Sequence, residues 1–145
     1  MKVLAINISE KKGTIKKPID KAFLKINHGL VGDAHAGDWH RQVSLLGIES
    51  FKKMEDKGLK LKKGAFAENL TTEGIELFTL PIGTMLAIGE TILEVTQIGK
   101  ECHHGCAIKT AVGECVMPAE GIFCKVIKEG TIYTNDMITI KKADQ

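Results

Sequence analysis

Residues 101–106 read ECHHGC, two cysteines and two histidines in six positions of a chain with four cysteines and five histidines in all. Cys102 and Cys106 stand four apart, on one side of either a helical turn or an extended segment. Extended, they lie about 13 Å apart, beyond disulfide reach; helical, a bridge is only marginal. Lys100, His103 and His104 are cationic or protonatable neighbours that favour a thiolate, and Gly105 eases a bend. A thiolate is a soft metal ligand and a sulfur nucleophile. Zinc is the other chemistry these residues suggest, through Cys102, Cys106, Cys115 and a histidine. The spacing argues against it, because C-x3-C followed by gaps of eight is not the C-x2-C rhythm of ribbons and knuckles. Cys124, inside GIFCKVI, reads as small core filler of a strand.

A second cluster is VGDAHAGDWHRQVSLL, from Val31 to Leu46. Asp33, His35, Asp38, His40 and Arg41 fall within nine positions, framed by Gly32 and Gly37, which permit positive φ and a close backbone approach. Of the 20 basic residues only Arg41 is arginine. Its guanidinium is a planar fork that can grip phosphate or carboxylate bidentately, which an ammonium cannot. The polar run followed by VSLL predicts a loop leading into a helix capped by Ser44, an anion position beside a helix N-terminus. The plainer reading is a surface loop whose Asp and His side chains cap their own backbone.

A third cluster is GAFAENLTTEGIEL, where Glu68 and Asn69 stand between Phe66, Ala67 and Leu70. A carboxylate among apolar residues is costly to bury unless something pairs with it. Asn69 offers two donors and an acceptor. The alternative has Glu68 pointing to solvent at a strand end.

These clusters must be carried by short elements. Residues 2–8, 22–28, 75–80, 84–89, 91–99, 122–130 and 137–142 are rich in Ile, Val, Leu, Phe and Thr and read as strands. In residues 91–98, Ile92, Glu94 and Thr96 alternate with Leu93, Val95 and Gln97. AIGET and KEGTIYTND predict hairpin turns, the latter with Asn135 and Asp136 in its loop. One segment differs: residues 44–58 carry Leu45, Ile48, Phe51 and Met54 at spacings of three, a helical face ending at Gly58. Many short strands with few helices predict an all-β barrel or sandwich.

The bulk numbers exclude other classes. With 145 residues, 43% hydrophobic and 26% charged, the chain is expected to form one globular domain. A net charge of +2, with lysines scattered or paired (Lys16–Lys17 among them) and without interleaved aromatics, predicts a solvated surface and no nucleic-acid partner. The start turns charged too early for a signal peptide, and no stretch suits a membrane span. A cytoplasmic protein with reduced thiols is expected.

In order, VGDAHAGDWHRQVSLL, GAFAENLTTEGIEL, ECHHGC and MPAEGIFCKVIKEGTI resemble a stand-alone MOSC domain, the molybdenum-cofactor sulfurase C-terminal domain. The resemblance covers nearly the whole chain, residues 1–145 forming a single domain. It implies a closed β-barrel of complex topology with a few short helices, and handling of the molybdenum cofactor (molybdopterin) or of its sulfur. It assigns Gly32, Asp33, His35, His40 and Arg41 to the pocket loop, with Arg41 on phosphate and the histidines moving protons. It assigns Glu68 and Asn69 to the pterin edge, and a cysteine of the CHHGC region, flanked by His103 and His104, to persulfide sulfur or molybdenum. Larger relatives commonly show C-x2-C there. Cys106, which continues into an apolar stretch, ranks ahead of Cys102 for both the sulfur and the metal role. The chain leaves no room for a pyridoxal-phosphate desulfurase, so the expected partners are a cysteine desulfurase and a molybdoenzyme or cofactor-biosynthesis protein. Two further functions stay open: a molybdenum-cofactor-dependent reductase of N-hydroxylated compounds, and a zinc-stabilised non-enzymatic binding module.

Overall fold

The computed structural model describes residues 1–11, 16–56, 58, 63–64, 68–99 and 120–141. Among them the strands are β1 (Lys2–Ile8), β2 (Lys17–Ile19), β3 (Lys21–Lys25), β4 (Gly29–Leu30), β5 (Val43–Gly47), β6 (Leu70–Glu73), β7 (Met85–Ile88), β8 (Thr91–Ile98), β9 (Ile122–Lys128), β10 (Gly130–Tyr133) and β11 (Ile138–Lys141). One helix, α1 (Ile48–Glu55), follows β5. Alternation decides which face turns inward. In β3, Ala22 and Leu24 are buried between exposed Lys21, Phe23 and Lys25. In β8, Thr91, Leu93 and Val95 are buried while Ile92, Glu94 and Thr96 are half-buried. β5 is buried at all five positions, because it lies between β6, its parallel partner, and β9, its antiparallel one.

The strands form an eight-stranded sheet, in the order β11-β7-β8-β9-β5-β6-β1-β2, and a three-stranded sheet, β10-β3-β4. The closed barrel expected from the sequence is therefore corrected: the described ladders leave the large sheet open. β1 explains this. Its outer edge is taken from Ile6 to Ile8 by β2, whose Pro18 cannot donate a ladder hydrogen bond. At its start, the Lys2–Met137 bridge and the hydrogen bonds from Val3 N–H to Asp136 O, Asn135 N–H to Val3 O and Ile138 N–H to Met1 O meet residues 135–138, short of a ladder with β11. Val3, Ile6, Leu24, Leu30, Leu45, Leu70, Leu86, Leu93, Val95, Ile122 and Ile132 meet in one core. Each contributes on the order of 1.5–3 kcal/mol by leaving water.

Three local expectations are also corrected. Ser44 is not a helix cap but a residue of β5, opposite Phe123; the helix starts after Gly47 and has no side-chain cap. The i+3 spacing of Leu45 with Ile48 thus runs across a strand–helix junction. The stop at Gly58 stands: it adopts φ +95°, and its N–H donates to Glu55 O at 2.9 Å. Residues 75–80 contain a 3₁₀ turn, Leu77–Thr79, rather than a strand. There the Thr79 hydroxyl donates to Glu76 O at 2.7 Å, and Pro81 follows. The turn at Asn135, with φ +76°, is real, but its flanking strands part: β10 pairs with β3 and β11 with β7.

Candidate functional site

Beneath the loop between β4 and β5 lies a buried polar network. Lys16 is 2% exposed, and its ammonium sits 2.5 Å from Asp33 Oδ1. Asp33 also accepts from the Ser9 backbone N–H at 3.0 Å, from Asn69 Nδ2 at 3.1 Å and from the His35 backbone N–H at 3.4 Å. Burial pushes this carboxyl's pKa up, but the Lys16, Ser9 and Asn69 hydrogen bonds and the Lys16 charge more than offset it and hold it below its ordinary value. Lys16 Nζ additionally lies 3.0 Å from His35 Nδ1.

Gly64 fixes where Lys16 runs. At φ +91° a Cβ on Gly64 would stand 2.3 Å from the Lys16 carbonyl oxygen, so only glycine allows the two backbones to pass so closely. The Gly64 N–H donates to Glu68 Oε2 at 2.9 Å, and the Thr71 hydroxyl donates to the same oxygen at 2.6 Å. Glu68 is 0% exposed, which corrects the solvent-facing alternative. Asn69 is equally engaged. Its Oδ1 accepts from the Ser44 N–H at 3.0 Å and the Ser44 hydroxyl at 3.2 Å, and its Nδ2 donates to Asn7 O at 3.2 Å as well as to Asp33. Glu68 and Asn69 thus tie β1, β5 and β6 to the loop.

Arg41 and His40 lie at the other end of that loop. A bulge in β8 between Val95 and Gln97 disturbs the ladder beside this loop. Gln97 Oε1 accepts from Arg41 Nε at 3.0 Å and lies 2.8 Å from His40 Nε2; Gln97 Nε2 donates to Gly99 O at 2.7 Å. The Thr96 hydroxyl donates to the His40 carbonyl and, at 3.1 Å, to Phe123 O. The guanidinium carbon stands 5.8 Å from the Trp39 ring centroid and 5.1 Å from that of Phe123. Trp39 is 45% exposed, and its indole N–H donates to His35 O at 3.3 Å.

The structure therefore brings Asp33, His35, Glu68 and Asn69 into one connected network, and joins His40 and Arg41 through Gln97. Gly32, at φ +93°, lies exposed at the loop's start. The expected helix N-terminus is not at this loop, which runs into β5, five residues before α1 begins. Cys102, His103, His104, Cys106 and Cys115 lie outside the described residues. Cys124 is buried, and burial, then the Glu94 charge, pushes its thiol pKa far up, so it stays protonated as core filler. No group of three or more His, Cys, Asp or Glu side chains that could hold a metal occurs among the described residues. None of their helices is long and apolar enough to cross a membrane.

Two residues escaped the sequence reading. Lys16, within a lysine pair expected on the surface, is instead buried; nothing in its flanks signals that. Gln97 did carry a signal, as a polar residue continuing the buried Leu93–Val95 face of β8.

The model of the MOSC domain family matches residues 32–139. No curated protein matches the chain. Among solved structures, the chain is similar to the YUAD protein of Bacillus subtilis, with a TM-score of 0.81 at 19% identity over 96% of this chain and 94% of that one. It is also similar to YiiM of Geobacillus stearothermophilus, with a TM-score of 0.72 at 17% identity over 97% and 74% of the two chains. YiiM of Escherichia coli gives 0.68 at 18% identity, over 98% and 70%. At such identities the structural likeness speaks for the fold, while the family match spans both the loop around Arg41 and the ECHHGC segment. The chain belongs to the MOSC domain family.

Proposed function

We propose that this domain binds the molybdenum cofactor at the rim formed by Trp39, His40, Arg41 and Gln97, and handles its sulfur through a cysteine of ECHHGC, Cys106 before Cys102. The observation that carries this reading is the state of Arg41. Its Nε is held from behind by Gln97, while among the described residues no hydrogen bond engages its two terminal nitrogens. A fork anchored in this way suits a phosphate such as the pterin carries. The Gly99 N–H donates to Gly121 O at 2.6 Å, on either side of residues 100–119, which hold Cys102 and Cys106 in the sequence.

When bound, the cofactor supplies a metal centre that can exchange a sulfur or oxo ligand, and the ECHHGC thiolate is the soft donor matched to it. The chain's own residues do the rest. Arg41 anchors phosphate, Trp39 offers a ring face to a planar heterocycle, and the histidines manage protons. Glu68 and Asn69 support the loop rather than reading the pterin edge, because the Asn69 amide is already engaged on both sides. Sulfur arrives from a protein persulfide, such as that of a cysteine desulfurase in the cytoplasm. The thiolate attacks the outer sulfur, a new S–S bond forms as the donor's breaks, and the donor leaves as thiolate; no oxidant or reductant is consumed. The recipient is a molybdoenzyme or cofactor-biosynthesis protein.

Persulfide-selective labelling of protein charged by such a donor tests the cysteine assignment. Wild type and Cys102→Ser are expected to label and Cys106→Ser to lose the label. Equal labelling of all three would remove Cys106 from the role.

A further inference from the structure

Strict alternation would turn Gln97 toward the core. Leu93 and Val95 of β8 are buried, and a regular strand would continue that face at Gln97, where an amide is costly without partners. The ladder departs from that pattern. Val95 lies opposite Cys124, but the next paired residue, opposite Phe123, is Gln97, so Thr96 is the extra residue of the bulge. Cross-strand partners share a face, and the extra residue therefore moves Gln97 from the side of Val95 to the side of Phe123. Arg41 lies there, its guanidinium carbon 5.1 Å from the Phe123 ring centroid. Thr96 itself fastens the neighbouring backbone, its hydroxyl donating to the His40 carbonyl, one residue before Arg41.

Gln97 is fixed at both ends of its amide. Arg41 Nε only donates and the Gly99 carbonyl only accepts, so the contacts of 3.0 and 2.7 Å both direct the amide oxygen to Arg41 and the nitrogen to Gly99. The same oxygen lies 2.8 Å from His40 Nε2. A guanidinium offers an oxyanion two bidentate edges, one between its terminal nitrogens and one between Nε and a terminal nitrogen. With Nε committed to Gln97, only the first is left. We propose that Gln97, re-aimed by the bulge in β8, is a positioning residue that sets Arg41 to take an oxyanion end-on, through Nη1 and Nη2. The side chain is then ordered before the anion arrives, and the anion does not bear that entropic cost. This rests on the reading of Arg41 as a phosphate anchor, but not on the phosphate being the cofactor's.

Nitrogen NMR of the full chain labelled in arginine reads this directly, because Arg41 is the only arginine and its guanidinium signals need no assignment. In the wild type the Nε–H is expected to exchange with solvent about tenfold or more slowly than that of free arginine. Inorganic pyrophosphate should then shift the Nη signals and leave Nε nearly in place. Gln97→Met, close in length and without the amide, should restore fast Nε–H exchange, let pyrophosphate shift Nε as well, and weaken pyrophosphate by about tenfold. Gln97→Glu keeps an acceptor for Nε and should keep the slow exchange. If Gln97→Met does not fold, the wild-type exchange rate and shift pattern decide. Fast exchange in the wild type, Arg41 signals that pyrophosphate leaves unmoved, or shifts centred on Nε would overturn the proposal. So would exchange or affinity indifferent to Gln97→Met. If the molybdenum cofactor fails to bind while pyrophosphate moves Nη alone, the role of Gln97 stands and the cofactor reading falls.

Discussion

Asp33→Asn and Lys16→Met should each lower folding stability by about 3–5 kcal/mol, because each leaves the other charge buried without its partner. The pair is shielded on both sides, with side-chain exposures of 1% for Lys16 and 0% for Asp33. Nothing from solvent can replace the missing charge without opening the loop. Asp33→Asn also disturbs the carboxylate that collects the Ser9, His35 and Asn69 N–H groups, so both ends of the network loosen. The sign with pH follows from the lowered folded-state pKa of Asp33. Its contribution is fully present above the ordinary carboxylate value of about 3.9, and is lost as pH falls through the lower folded value. Urea unfolding followed by Trp39 fluorescence checks both statements. Wild type should lose this increment only below about pH 4, and Asp33→Asn should lack that acid limb.

The second large effect belongs to Arg41. Removing the fork should cost the hydrogen bonds of a charged group to phosphate, about 1.5–3 kcal/mol, or roughly a ten- to hundredfold loss of cofactor affinity. Arg41→Ala should show that loss with a small effect on stability, since the side chain is half-buried and, among the described residues, hydrogen-bonded only through Nε. Arg41→Lys should fall between, because it keeps the charge and loses the planar geometry. Trp39 is the only tryptophan of the chain and lies beside the guanidinium, so quenching of its emission reports the titration. Unchanged affinity in Arg41→Ala would take the phosphate anchor away from this residue.

Much of the strand framework is legible in the sequence because period-two burial is local. β8 announces its inner face through Leu93 and Val95, and β7 and β8 announce their hairpin through Gly89, at φ +55°. What is not local is harder to read. Whether the sheet closes depends on β1 dividing its edge between β2 and Met137, partners far apart in the chain. Ser44 looks like a helix cap because serine before an apolar run usually is one. It lies in β5 because Asn69, 25 residues away, takes both its N–H and its hydroxyl. The candidate site divides in the same way. Arg41 stands out by being the sole arginine, and His35, His40 and Asp33 by their density. The buried state of Lys16 arises from a tertiary fit at Gly64 that no flanking residue signals. Glu68 and Asn69 were visible as odd polar residues, but their work of joining strands became apparent only from the partners they meet.

Native mass spectrometry of protein purified without denaturation tests the central claim most directly. A bound pterin with molybdenum, or a mass increment of one sulfur atom on a cysteine of residues 102–106, is the predicted result. Protein that carries neither, even after exposure to cofactor and to a persulfide donor, would contradict the account.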